Sequence, residues 1–370
     1  MHTEKTGESR PLVVNLISET VGGSQGHGVH TAFLQTQRAL AQAGVEVRVN
    51  CGPGCDIVHI ETMGLVSLWM FMRTRERAVI TAHVVPESMV GSFLWAPLWK
   101  YFAELYMHVV YSLADEVLAV SPEVVDGLTS IGLRAPIRLV PNAIDTSRFK
   151  PQPEWRGSLR DKLGIAPDAF VVVCAGQVQP RKGVRQFVQA ARSMPDVTFV
   201  WAGGMPFKLL TAHYSEMRRI VATAPSNCLF VGDLPYEEMP RYYAAADCLF
   251  FPSLQETFGL AIIEAAAAGL PLVLRDLPNY RALFGDSYLA GDDSKFGELL
   301  AAFRDDAALR AHYADRALTM SSEFDTVRHG QLLLDAYEGV LARAEEDRGR
   351  TARAIRPDRQ YAFSGRSDRR

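Results

Sequence analysis

The chain has 370 residues, 48% hydrophobic and 22% charged, with 28 Gly, 20 Pro and a net charge of −3 from 39 basic and 42 acidic residues. At about 100–200 residues per domain this length implies two compact domains. The composition excludes a disordered, collagenous or coiled-coil chain, and the near-balanced charge excludes a surface built as a whole to hold nucleic acid, so no nucleic-acid partner is expected. Five dispersed cysteines (Cys51, Cys55, Cys174, Cys228, Cys248) form no secreted disulfide framework, and a reducing, cytoplasmic setting is expected. Cys51-Gly-Pro-Gly-Cys55 reads as a turn, since no second Cys or His pair follows at metal-ligand spacing. Residues 1–10 lack the apolar core of a secretory signal. The most lipid-like stretch, 92–114, is broken by Lys100, Glu104 and His108, so it can lie on a membrane or in a core but not cross a bilayer.

In chain order, an apolar run at 12–17, a Gly-rich loop and a helical pattern over 29–43 ending at Gly44 set a strand–loop–helix phase. The phase continues through predicted strands at 45–49, 57–60, 79–83, 116–120 and 137–140, which implies a parallel, doubly wound α/β sheet. Residues 151–169, with Pro151, Pro153, Gly157, Gly164 and Pro167, read as a linker. A second series follows at 170–175, 197–202, 228–231, 248–251 and 272–274. Two Rossmann-like halves are expected, 1–150 and 170–324, facing a cleft with ligands at the carboxyl ends of the strands. A C-terminal helix is expected over 325–347. The segment 348–370 holds eight Arg against two Asp, a local +6 that leaves −9 for the rest, and is expected to be a disordered basic tail.

The strongest chemical signal is Glu256-Thr-Phe-Gly-Leu-Ala-Ile-Ile-Glu264, directly after an apolar run. A helix starting near Phe258 would place free backbone amides around Gly259 and Leu260 between the two carboxylates. Amides attract phosphate and carboxylates accept hydrogen bonds from sugar hydroxyls, so the combination suits a sugar nucleotide. The alternative makes Glu256 a cap and Glu264 a solvated helix residue. Gly176-Gln-Val-Gln-Pro-Arg181-Lys182-Gly183 lies between a predicted strand and a helix, where Lys182 and Arg181 would neutralise a diphosphate; in isolation a basic surface pair in a turn is the better reading. Gly22-Gly23-Ser-Gln-Gly-His-Gly28 stands in the equivalent place in the first half, and His83 ends a predicted strand. No Asp-x-Asp motif sits at a strand end; Asp292-Asp293 and Asp305-Asp306 read as solvated pairs, and no metal cofactor is expected.

Together with Val140-Pro-Asn-Ala-Ile-Asp-Thr-Ser-Arg-Phe149, these segments resemble retaining glycosyltransferases of family 4, which have the GT-B fold. More narrowly, the Gly176–Gly183 motif, Trp201-Ala-Gly-Gly204, Ala82-His-Val-Val-Pro-Glu-Ser88 and Leu274-Arg-Asp-Leu277 look like bacterial glucosyltransferases that build diglucosyldiacylglycerol. The resemblance implies that Glu256 holds hydroxyls of the transferred sugar, that Gly259 and Leu260 offer amides beside it, and that Glu264 binds the ribose. It makes Lys182 the phosphate lysine and places His83 facing the donor sugar, with Gly22 and Gly23 approaching the donor phosphates. Gln177 stands where the family has a clamp arginine, a charge that Arg181 would have to supply. It further implies a UDP-sugar substrate and a lipid or glycolipid acceptor.

Aromatic residues over 93–111, and Trp69, Met70, Phe71 and Met72 next to Arg73, Arg75 and Arg77, mix apolar and basic character in one half. That mixture suits peripheral docking on an anionic membrane surface, from the cytoplasmic side. The rival classes are a nucleotide-dependent oxidoreductase, against which the lack of a clear Gly-x-Gly-x-x-Gly turn weighs, and a non-catalytic sugar-nucleotide-binding protein.

Overall fold

The structure, a computed structural model, describes residues 10–21, 28–74, 76–83, 96–205 and 213–354. In the first half, β1 (Val13–Ile17), β2 (Glu46–Val49), β3 (Ile57–Ile60), β4 (Arg77–Ala82), β5 (Glu116–Ala119) and β6 (Ile137–Leu139) form one parallel sheet in the order β2-β1-β3-β4-β5-β6. Helices α1 (Gly28–Gln42), α2 (Leu65–Met72), α3 (Ala96–Tyr111) and α4 (Pro122–Ser130) connect its strands. Every residue of β1, β3 and β5 is buried, as expected of strands covered on both faces.

The second half repeats the plan with β7 (Val171–Ala175), β8 (Thr198–Ala202), β9 (Cys228–Gly232), β10 (Cys248–Phe251), β11 (Leu272–Arg275) and β12 (Leu289–Gly291), in the parallel order β12-β11-β10-β7-β8-β9. The edge strand β12 was not expected; its three residues, Leu-Ala-Gly, are too few to show a period.

The predicted linker is instead largely a helix of the second half, α5 (Glu154–Leu163). Pro153 precedes it and Gly164 ends it in the left-handed conformation, so these two residues bracket a helix and do not mark a loop. Its Arg160 side chain is 2% exposed, pairs with Asp247 at 2.8 Å and donates to the carbonyls of Ala245, Pro167 and Ala169 at 3.0, 2.7 and 2.8 Å. Arg160→Ala is therefore expected to destabilise the second half by about 3 kcal/mol, because it strands buried carbonyls and half of an ion pair. A thermal midpoint within a degree of wild type would contradict that role.

Helices α6 (Val184–Ser193), α7 (Tyr214–Ala222), α8 (Met239–Ala245), α9 (Leu260–Ala267), α10 (Pro278–Phe284), α11 (Phe296–Asp305) and α12 (Ala307–Ser321) complete the second half. The last helix, α13 (Thr326–Ala354), crosses back to the first half and lies along α1. Its Leu333, Ala336, Tyr337 and Val340 share a core with Val14, Leu40, Ile57 and Val79. The helix also continues to Ala354, past the expected start of a disordered tail at 348, since Arg and Ala sustain a helix without any apolar period. Where α13 begins, the chain runs beside the first crossover: Ile144 donates its amide to Phe324 at 2.9 Å and accepts from Thr326 at 3.1 Å.

Candidate active site

The halves enclose a cleft of about 540 Å³ at the carboxyl ends of their strands. Gly28, His30 and His83 line it from the first half; Gln177, Arg181, Lys182, Glu256, Gly259, Leu260 and Glu264 line it from the second. All the sequence-derived candidates that lie among the described residues thus meet in one cavity. Gly22 and Gly23 lie outside the described residues.

Two strand-to-helix turns build the second-half wall. After β7 the chain makes a 3₁₀ turn through Pro180–Lys182 and closes at Gly183, whose φ is +75°. A Cβ there would lie 2.4 Å from the Pro252 carbonyl oxygen, so only glycine lets this turn seat on the end of β10. The Arg181 carbonyl accepts from the Leu254 amide at 2.7 Å and fastens the two loops together.

This contact delivers Lys182 to Glu256. Lys182 Nζ is hydrogen-bonded to Glu256 Oε1, Ser253 Oγ donates to the same oxygen at 2.9 Å, and an Arg181 guanidinium nitrogen stands 3.9 Å away. Asn279 Nδ2 donates to the carbonyls of Glu256 and Thr257 at 3.0 and 2.9 Å and fixes the loop from behind. Burial would raise the Glu256 carboxyl, but the charges of Lys182 and Arg181 outweigh it and hold the group below its ordinary value. Burial pulls the Lys182 ammonium down, opposed by Glu256. Lys182 has three donors and spends one on Glu256, so it can hold an anion at the same time. Gln177 Oε1 accepts from Gln179 Nε2 at 2.7 Å, and Gln179 Oε1 accepts from Arg181 Nε at 3.1 Å. Gln177 is thus linked through one amide to Arg181.

Gly259 caps α9 with φ +94° and ψ +65° and no side-chain cap. The helix starts at Leu260, two residues later than expected, and the uncapped end opens into the cleft. A Cβ on Gly259 would meet Ile262 Cδ1 at 2.8 Å. Glu264, one turn into α9, is 5% exposed, which excludes the solvated alternative. Tyr243 Oη donates to its Oε2 at 2.8 Å. Burial pushes the carboxyl up to about 7, against the lowering hydrogen bonds of Tyr243 and Tyr236. Tyr236 also receives Gln35 Nε2 of α1 at 3.3 Å, so this wall is shared between the halves.

His83 follows β4, lines the cleft, and hydrogen-bonds through Nε2 to Glu61 Oε2 at 2.7 Å. Glu61, and behind it His59 and Tyr337, were not singled out in the sequence; the spacings His59-x-Glu61 and Thr81-x-His83 on two adjacent strands were the available signal. Asp233, also missed, lines the cleft and accepts from the Gly204 amide at 2.9 Å. The acidic pairs stand apart from this wall. Asp306 caps α12, and Asp293 pairs with Arg275. No group of three His, Cys, Asp or Glu side chains with metal-holding geometry occurs among the described residues.

Two parallel Rossmann-type sheets thus face one cleft, with a buried Lys–Glu pair and a free helix N-terminus on one wall. Residues 156–317 match the family "Glycosyl transferases group 1" and residues 50–148 match "Glycosyltransferase Family 4". The chain is 30% identical to the alpha-galactosylglucosyldiacylglycerol synthase of Streptococcus pneumoniae, over 90% of its own length and 91% of that protein. It is 29% identical to the processive diacylglycerol alpha-glucosyltransferase of Acholeplasma laidlawii, over 68% and 75% of the two chains. It is 32% identical to the lipopolysaccharide core biosynthesis mannosyltransferase LpsB of Rhizobium meliloti, over 85% and 94%. Among solved structures, Anabaena Alr3699/HepE in complex with UDP and glucose superposes with a TM-score of 0.70 at 19% identity, covering 88% of this chain and 99% of that one. The chain belongs to glycosyltransferase family 4 and is a glycosyltransferase.

Proposed function

We propose that the enzyme transfers glucose from UDP-glucose to a membrane glycolipid such as monoglucosyldiacylglycerol, with retention of anomeric configuration. The observation that carries this reading is the Lys182–Glu256 pair beside the open amides of α9, which offers a cation, a carboxylate and helix-end donors within one cleft. Lys182 and Arg181 hold the diphosphate and stabilise its charge as the glycosidic bond breaks. Glu256 and the amides near Gly259 orient the hexose, and Glu264 accepts from the ribose. The acceptor hydroxyl attacks from the face the diphosphate is leaving, its proton passes to a departing phosphate oxygen, and UDP is released. With two cations in that role the reaction needs no metal, so turnover should persist in excess EDTA.

Relatives named for diacylglycerol glycolipids support the acceptor reading, and the UDP and glucose of the Anabaena structure support the nucleotide. The mannosyltransferase relative favours a second reading of the donor, in which the transferred sugar is mannose. Competition between UDP-glucose and GDP-mannose for the purified enzyme, with monoglucosyldiacylglycerol in vesicles, decides between them. Product labelled only from GDP-mannose would overturn the donor assignment.

Glu264 gives donor binding a pH dependence. Burial pushes its carboxyl up to about 7, whereas accepting from ribose hydroxyls requires the ionised form, so donor binding below about pH 7 expels a proton. UDP affinity should rise about fivefold from pH 6 to 7 and about tenfold from pH 6 to 8, levelling off above that. Glu264→Gln should flatten the profile and weaken binding about tenfold at pH 8. Calorimetry in two buffers of different ionisation enthalpy counts the proton directly; none released at pH 6.5 would sink the assignment.

The enzyme docks on the inner face of the cell membrane through the first half. Leu65, Val66, Trp69 and Met72 of α2 are 78, 58, 54 and 65% exposed, and Phe102, Leu105 and Val109 of α3 are also exposed. Arg73 stacks on Trp69 with its guanidinium 4.6 Å from the ring centroid, a cation beside the apolar face. No helix among the described residues is long and apolar enough to cross a membrane. Of the other aromatics in this reading, Trp95 lies outside the described residues, as does the tail beyond Ala354. Leu65→Ser with Trp69→Ser is expected to abolish the salt-resistant part of sedimentation with anionic vesicles, while a charge-dependent part survives at low salt. Unchanged sedimentation in high salt would remove α2 from the docking surface.

A further inference from the structure

Behind His83, the first half seals a row of polar side chains along one face of its sheet. β3 and β4 pair with His59 opposite Val79, and the period of two puts His59 and Glu61 on the same face as Thr81 and His83. His59 Nε2 lies 2.6 Å from Thr81 Oγ1, and Glu61 Oε2 meets His83 Nε2 with the same offset of 22 residues. The returning helix α13 closes the row, its Tyr337 hydroxyl 2.6 Å from His59 Nδ1. The Glu61 side chain is fully buried and that of His83 is 9% exposed, at the edge of the cleft.

Glu61 is ionised. Burial alone would raise its carboxyl, but the hydrogen bond of His83 and the neighbouring His59 bring it down to about 2. An ionised carboxylate only accepts, so the proton of the 2.7 Å bond sits on His83 Nε2. Nδ1 is then the ring nitrogen left for a ligand.

We propose that Glu61 is a positioning residue that holds His83 in its Nε2–H form and fixed orientation, so that Nδ1 accepts a hydrogen bond from a hydroxyl of the transferred hexose. The inference rests on the hexosyl-donor reading above. A buried carboxylate behind the ring restricts both rotation and tautomer before substrate arrives, whereas a glutamine there can turn its amide to donate, which stabilises the opposite tautomer.

The test uses full-length protein and two ligands, UDP and UDP-glucose. Glu61→Gln should bind UDP as wild type does, within about twofold, while the extra affinity from the attached glucose and the turnover fall about tenfold. Added to His83→Ala, the same substitution should cost nothing further. Equal loss of UDP and UDP-glucose binding, or a cost that adds in full to that of His83→Ala, would overturn the proposal in favour of a purely structural Glu61. The imidazole ¹⁵N shifts of His83 in the wild type, assigned by their disappearance in His83→Ala, read the tautomer with Glu61 intact. Nε2–H supports the assignment and Nδ1–H overturns it, even if glucose adds no affinity and the donor reading itself fails.

Discussion

Lys182→Ala is expected to lower turnover about 10³-fold, the largest effect of any single side chain in the cleft. Two losses combine. The leaving diphosphate gives up a cation placed where its charge develops, a contact of the kind worth about 10²–10³-fold. Glu256, buried and left with Arg181 at 3.9 Å and the Ser253 hydrogen bond, is drawn toward its protonated form, because the largest influence lowering its carboxyl is the Lys182 charge. Arg181 does not replace Lys182, since its nitrogen lies beyond hydrogen-bond reach of Glu256 and its Nε is committed to Gln179. Arg181→Ala should therefore cost less, and the double substitution should leave no measurable turnover. Gln177→Arg would supply the charge of the family's clamp and is expected to tighten UDP binding. Single-turnover kinetics separates chemistry from release; a Lys182→Ala enzyme within tenfold of wild type would remove the phosphate role.

Glu256→Gln is expected to lower turnover by about 10- to 100-fold with UDP-glucose affinity within a few-fold, the value of a charge-assisted hydrogen bond at ~1.5–3 kcal/mol. Glutamine preserves shape, and the Asn279 bonds that hold the loop go to backbone carbonyls, so the wall itself should stand. The substitution also removes the charge that raises the Lys182 ammonium against the lowering effect of its burial. Lys182 should therefore lose its proton at lower pH, and the alkaline limb of the kcat/KM profile should move toward neutrality. A variant with wild-type turnover and an unmoved alkaline limb would show that the two side chains do not act as a unit.

The sequence carried those parts of the fold that depend on continuous burial or on a short specific motif. β7 and β10 are uninterrupted apolar runs because both faces are covered, and Glu256 to Glu264 spans a strand-to-helix turn whose glycine sits at φ +94°. What stayed hidden depends on contacts distant in sequence. α5 was concealed by the proline and glycine that cap it, while the reason it forms, Arg160 on Asp247, lies 87 positions away. Tyr337 meets His59 across 278 residues, so nothing local marks the polar row behind His83. The tyrosines that cover Glu264 come from the 3₁₀ turn and helix α8 that follow β9, and only the assembled cleft shows why burial pushes a helix glutamate up to about 7.

The transfer reaction itself is tested by identifying the product after incubating the enzyme with UDP-[¹⁴C]glucose and vesicles containing monoglucosyldiacylglycerol. The account predicts a labelled diglucosyldiacylglycerol whose new linkage is alpha, with UDP released in equal amount and the product lost in Lys182→Ala. Label transferred only to water-soluble acceptors, or a beta linkage in the lipid product, would contradict it.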